Sequence, residues 1–141
     1  TDRKKDIIVT AGGKNIAPQP IEAVIMESPY INHAMVYGDK RKYLTALVTL
    51  NPDAIKQFAQ EEGLMFSRQE EMAENASVRE LIDKVIVEQN KKLARFETIK
   101  RFAIVPTDFT PETGEITPTL KVRRKFVTKK YAEILDRLYE D

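Results

Sequence analysis

Ile31-Asn32-His33-Ala34-Met35-Val36-Tyr37, Gly38-Asp39-Lys40-Arg41-Lys42 and Tyr43-Leu44-Thr45-Ala46-Leu47-Val48-Thr49-Leu50 follow one another in the first half of the chain. The outer two runs are of strand type and the middle one is a polar connection opened by a glycine. Together they read as a β-hairpin. The second strand is nearly all apolar or Thr, which predicts a central strand covered on both faces. Helices on either side can supply the cover. Upstream, Pro18 and Pro20 suit a helix start. Ile21, Val24 and Ile25 then give it one apolar face, and Ser28-Pro29 ends it. Downstream, Asn51-Pro52 supplies an N-cap and first-turn proline, and Gly63 stops that helix. Residues 64–74 are polar and indistinct, with room for a short extra helix. Ser77-Val78-Arg79-Glu80 has capping-box spacing. Val78, Leu81, Ile82, Val85 and Ile86 follow on one helical face, up to about Leu93.

The outer segments complete the pattern. Residues 7–10 form a β-branched strand-like run, broken by Ala11-Gly12-Gly13-Lys14-Asn15. Residues 102–105 form a short strand. Residues 107–119 read as a long loop, which in a compact domain is functional or mobile. A last helix carries Phe126, Val127, Tyr131, Ile134, Leu135 and Leu138. The fold class expected is α+β: a small sheet with a β-hairpin, packed against about four helices. The long strand–helix alternation of a doubly wound nucleotide fold is missing.

Composition narrows the function. In 141 residues, 23 Lys and Arg stand against 22 Asp and Glu, for a net charge of +1. That balance argues against a strongly basic nucleic-acid binder. Cysteine is absent, which excludes disulfides and thiolate chemistry and suits a reducing, cytoplasmic setting. A single His excludes a histidine-rich metal site. No apolar run approaches the roughly 18 residues of a membrane helix. The chain does not begin with Met, and is expected to be cut from something larger.

Four features could carry chemistry: the basic stretch Arg3-Lys4-Lys5, the turn at Gly12-Gly13-Lys14, Lys121 at the end of the long loop, and the cluster Arg123, Arg124, Lys125, Lys129 and Lys130. The glycine turn fits neither a phosphate-loop nor a dinucleotide fingerprint. A loop-borne Lys can serve as a point charge toward a phosphate or carboxylate. Basic clusters are more often the wet face of a helix, and His33 reads as a packing residue. No carboxylate pair, triad or metal spacing is visible.

The segment from Asp2 through Gly12-Gly13-Lys14-Asn15 to Pro18, followed by Ile21-Glu22, resembles the opening motif of the C-terminal domain of acyl-CoA synthetases. These belong to the adenylate-forming superfamily. Thr117-Pro118-Thr119-Leu120-Lys121-Val122-Arg123-Arg124 resembles the late lysine motif in its long-chain fatty acid form. Many relatives have Gly-Lys where this chain has Leu120-Lys121. Val36-Tyr37-Gly38-Asp39 resembles an intermediate motif less specifically.

The resemblance implies that residues 1–141 are one C-terminal lid domain with a hinge at 2–6, lacking a larger N-terminal AMP-binding domain. That missing domain would bind ATP with magnesium and the fatty acid. The lid would close over it for adenylation, then rotate for thioester formation with CoA. On this reading Lys121 serves the first half-reaction and Arg3 contacts the nucleotide. Lys5 is the hinge residue. Gly12, with Gly13 and Lys14, borders the CoA pantetheine path. The fragment alone is expected to be inactive. No nucleic-acid partner and no transmembrane segment are expected, and peripheral membrane association of a full enzyme stays open. A second reading is a free-standing nucleic-acid or nucleotide-binding module using the basic 121–130 stretch. A third is the lid of another adenylating enzyme, such as an aryl-CoA ligase.

Overall fold

The computed structural model describes residues 7–66, 69–105, 108–119 and 121–140. Its centre is the strand expected to be covered on both sides. In β4, Leu44–Leu50, all seven residues are buried. β3, Ile31–Tyr37, pairs with it antiparallel, and β5, Ile99–Val105, pairs with it parallel, giving the order β3-β4-β5. β5 is longer than the four residues expected. A parallel partner needs a crossover. It is provided by α2 (Pro52–Glu62), α3 (Gln69–Glu74), α4 (Ala76–Asn90) and a 3-10 turn at Arg95–Glu97.

Alternation along β4 builds two cores. Leu44, Ala46, Val48 and Leu50 join Ile21 and Ile25 of α1 (Pro18–Ile25), Ile55 of α2, and Val78, Ile82 and Ile86 of α4. Leu47 points the other way, into Met35, Val105, Phe109, Ile116, Val127 and Leu135. Thr45 and Thr49 share that second face and are fully buried. Their hydroxyls are satisfied: Thr49 Oγ1 accepts from the His33 amide at 2.8 Å, and Thr45 Oγ1 lies 3.1 Å from the Tyr139 hydroxyl. The second core is closed by α5 (Arg124–Lys130) and α6 (Ala132–Arg137).

Most helix signals act as expected. Pro18 and Pro52 open their helices. Asn51 Oδ1 accepts from the Asp53 amide at 3.1 Å, and Gly63 closes α2 with φ +71°. Two details differ. Asn75, rather than Ser77, caps α4, accepting the amides of Ser77 and Val78 at 2.9 and 3.1 Å. An Asx side chain one position before the helix satisfies two orphan donors at once. The single last helix is two segments that break at Tyr131, whose φ and ψ are −110° and 24°. Periodicity did not reveal the break, because Val127, Tyr131, Ile134, Leu135 and Leu138 still face one core. The polar 64–74 stretch does hold a short helix, α3.

Candidate functional site: a basic cleft and a lysine arm

Gly12 and Gly13 lie in the turn of a hairpin between β1 (Ile8–Val9) and β2 (Asn15–Ile16). The turn is closed by its backbone: the Gly13 amide donates to Thr10 O at 2.9 Å, and the Thr10 amide to Lys14 O at 3.0 Å. The two glycines have different reasons to be there. Gly13 has φ +85°, a left-handed conformation that glycine adopts without a Cβ penalty. At Gly12 a Cβ would meet no atom within 4 Å. No packing within the described residues requires a glycine at 12.

The β3–β4 connection holds this turn from behind. The Lys40 amide donates to Val9 O at 2.7 Å, the Ala11 amide to Arg41 O at 2.9 Å, and the Val9 amide to Asp39 Oδ1 at 3.1 Å. In front of the turn opens a cleft of about 210 Å³, whose walls include Gly12, Lys14, Lys42, Arg95, Phe96 and Lys100. Four cations line it and no carboxylate does. Phe96 is 49% exposed, and the Lys14 ammonium sits 5.1 Å from its ring centroid. Lys42, Arg95, Phe96 and Lys100 were not singled out in the sequence. They come from two stretches distant in sequence, 42 and 95–100, and only the fold brings them beside Gly12-Lys14.

Lys121 is not a wall of that cleft; it is exposed elsewhere, on an arm whose described residues are 108–119 and 121–123. The loop was expected to be functional or mobile; its described residues are tied down at every level. At its base Asp108 Oδ1 accepts from the Phe109 amide and meets His33 Nδ1, both at 2.8 Å. Burial pushes the Asp108 carboxyl up, but bonds from His33, Thr49 and Asn32 outweigh it and leave the group below its ordinary range. Phe109 and Ile116 are buried in the second core. Ile116 and Val122 form an antiparallel bridge across the arm. Thr117 N donates to Lys121 O at 2.8 Å, Lys121 N to Thr117 Oγ1 at 3.1 Å, and Arg123 N to Glu115 O at 2.8 Å. Lys121 is carried on a braced tip and not on a loose loop.

Two ion pairs finish the bracing. Arg124 grips Glu22 of α1 with both terminal nitrogens, at 2.5 and 2.9 Å, and Glu22 Oε2 also accepts the Val36 amide at 2.7 Å. This links the helix after the glycine turn to the helix after Lys121. The Glu115 side chain is 1% exposed and takes Lys130 Nζ at 2.5 Å, with further bonds from Thr110 N and Thr113 Oγ1. Burial alone would raise its pKa; Lys130 and the two threonines override that and hold it at about 2. Arg3, Lys5 and the 2–6 hinge lie outside the described residues.

The family model described as AMP-binding enzyme C-terminal domain matches residues 5–141. The chain belongs to this family. Over 140 residues it is 39% identical to a long-chain-fatty-acid–CoA ligase of Mycobacterium tuberculosis, covering 99% of this chain and 23% of that protein. Over 159 aligned residues it is 38% identical to a human long-chain-fatty-acid–CoA ligase, covering all of this chain and 22% of that one. The chain therefore spans less than a quarter of the length of these curated relatives. Among solved structures, the adenylation domain of a carboxylate reductase from Mycobacterium chelonae aligns with a TM-score of 0.80 at 27% identity, over 99% of this chain and 20% of that one. A fatty acyl CoA synthetase from Mycobacterium tuberculosis, at 20% identity and a TM-score of 0.57, shares the fold. The α+β reading and the family placement stand. The nucleic-acid reading of this AMP-binding C-terminal domain finds no support. Two cations of the 121–130 stretch, Arg124 and Lys130, are spent on Glu22 and Glu115. No helix among the described residues is long and apolar enough to cross a membrane.

Proposed function

We propose that this domain is the lid of an AMP-forming long-chain fatty acid–CoA ligase. The whole enzyme would activate a fatty acid with ATP to the acyl-adenylate, then pass the acyl group to CoA. A larger N-terminal AMP-binding domain would hold ATP and the fatty acid. Among the described residues no group of three or more His, Asp or Glu could hold a metal ion. The magnesium that accompanies ATP would be held mainly by the N-terminal domain.

The observation that carries this reading is that the glycine turn with its four-cation cleft and the exposed Lys121 lie on separate parts of one domain. In adenylation a fatty carboxylate attacks the α-phosphorus, its oxygen bonding there as pyrophosphate leaves. Two anions must meet. The Lys121 ammonium between them offsets the repulsion and stabilises charge that builds in the transition state. Its braced tip keeps that donor in place. In thioester formation the CoA thiol attacks the adenylate carbonyl and AMP leaves. The open surface at Gly12 gives the thin pantetheine arm room. Lys14, Lys42, Arg95 and Lys100 complement its phosphates, and the exposed Phe96 ring offers a stacking face to its adenine. Arg3 would contact the nucleotide of the first step, and Lys5 would be the pivot between the two orientations. Because Lys121 is braced, it would leave the site by rotation of the whole lid.

The test uses the full-length enzyme and two assays. Pyrophosphate exchange reports adenylation, and acyl-CoA formation from supplied acyl-adenylate reports the second step. Lys121→Ala should slow exchange by on the order of 10²–10³ and spare acyl transfer; Gly12→Leu should do the reverse. Equal loss of both steps in either variant would defeat the two-orientation reading. Measurable acyl-CoA formation by the isolated 141-residue chain would defeat the lid assignment.

A further inference from the structure

The pair of buried Glu115 with the partly exposed Lys130 has no part in either half-reaction as described above, and the apolar packing of the arm does not depend on it. Phe109 and Ile116 already seat the arm in the second core, at 2% and 3% exposure. A buried carboxylate costs several kcal/mol unless well paired, and apolar residues of similar volume often serve stability as well. What the pair adds is geometry. Glu115 draws Lys130 of α5, Thr110 N and Thr113 Oγ1 onto one carboxylate. Its own backbone oxygen holds Arg123 N on the opposite leg, two residues beyond Lys121. Lys130 in turn lies 6.0 Å from the Phe126 ring centroid. That ring is so close over Gly114 (φ +91°) that a Cβ there would come within 3.1 Å of it. Both legs of the Lys121 tip are thus indexed to α5 through one charged contact.

We infer that Glu115 and Lys130 are positioning residues that fix Lys121 for adenylation, and have no role in acyl transfer to CoA. The inference rests on the proposed role of Lys121. Loss of the contact leaves the arm seated by its apolar residues but frees its tip, and a displacement of about 1 Å at a reacting group can cost on the order of 10² in rate.

The experiment compares Lys130→Met, Lys130→Arg, Glu115→Gln and Lys121→Ala in the full-length enzyme. Lys130 is 38% exposed, but Lys130→Met leaves the Glu115 charge buried without its partner, so Glu115→Gln, which removes that charge, stands beside it as the control for misfolding. Lys130→Met and Glu115→Gln should lower the exchange rate at saturating substrate by about 10- to 100-fold, with the KM for ATP changed by no more than about twofold. Acyl transfer from supplied adenylate should stay at the parent rate, and Lys130→Arg should keep most of the exchange. Parent-like exchange in Lys130→Met, or equal loss of both half-reactions, would overturn the inference. If Lys121→Ala loses exchange and Lys130→Met keeps it, the positioning claim alone falls. If Lys121→Ala itself keeps exchange, the role of Lys121 falls and the inference with it.

Discussion

The glycine turn and the lysine arm are both connections between regular elements, and they are built in opposite ways. The turn is anchored from behind, by the backbone of 38–42, and leaves open space in front of Gly12. The arm is anchored along its length by a buried Phe, a buried Ile, a cross-arm bridge and a carboxylate with three donors. A passage for a thin substrate arm needs room and tolerates small displacement. A single charge that must meet a transition state needs fixed placement. Loop length and composition cannot separate these two cases; the partners of each connection can.

The largest expected effect lies on the arm. Lys121→Ala should slow pyrophosphate exchange by on the order of 10²–10³, the usual cost of losing one well-placed donor. A loss below about tenfold would mean that the lysine does not meet developing charge, and the contrast between arm and turn would lose its meaning.

A second test asks whether the arm's bracing is electrostatic. The Glu115 carboxyl is held at about 2 in the folded state, below its ordinary 4.5. A folded pKa below the unfolded one stabilises the protein above about 4.5, and the benefit is lost as pH falls from there toward 2. At neutral pH it is worth up to roughly 3 kcal/mol, less whatever solvent screens at the partly exposed Lys130. In Glu115→Gln the stability difference from the parent should therefore shrink as pH falls through that window, followed by denaturant unfolding of the 141-residue chain. A difference constant from pH 7 to pH 2.5 would make the bracing apolar.

The cleft should respond more weakly and to salt. Lys14→Glu with Lys100→Glu should raise the KM for CoA by about tenfold with little change in exchange, as expected for exposed charges worth up to about 1 kcal/mol each. The effect should shrink when ionic strength is raised, because the four cations face solvent. A salt-independent rise would indicate altered shape and not lost attraction.

Much of this was legible in the chain. β4 announced itself by an unbroken apolar and Thr run, and Asn51-Pro52 and Gly63 bounded α2 as read. The motifs around Gly12 and Lys121 were visible as strings. The cleft walls were not, because Lys42, Arg95 and Lys100 are ordinary surface cations until the parallel pairing of β5 with β4 brings the 95–100 segment beside the turn. Nor could the string show that Glu115 is buried. It lies in a Thr-, Pro- and Gly-rich loop that looks solvated, and only the folded arm surrounds it with donors. The break at Tyr131 was hidden for the opposite reason: the apolar period runs through it undisturbed.

The smallest effect separates the two adjacent glycines of the turn. Gly13→Ala forces a Cβ onto a residue at φ +85°, which costs roughly 1–2 kcal/mol for an L-residue in the left-handed region. Gly12→Ala meets nothing within 4 Å and has no such backbone demand. It should be neutral in stability or gain a few tenths of a kcal/mol through a less flexible unfolded chain, short of the usual upper value near 1. Function should run the other way. Gly13→Ala should leave the CoA step close to the parent once the protein is folded, whereas Gly12→Ala should already slow acyl transfer, and Gly12→Leu should slow it far more. Thermal melts of the 141-residue chain beside acyl transfer in the full-length enzyme give both readings. If Gly12→Ala destabilised the domain as much as Gly13→Ala, the glycine at 12 would be serving the turn itself, and the empty space in front of it would no longer point to a passing substrate.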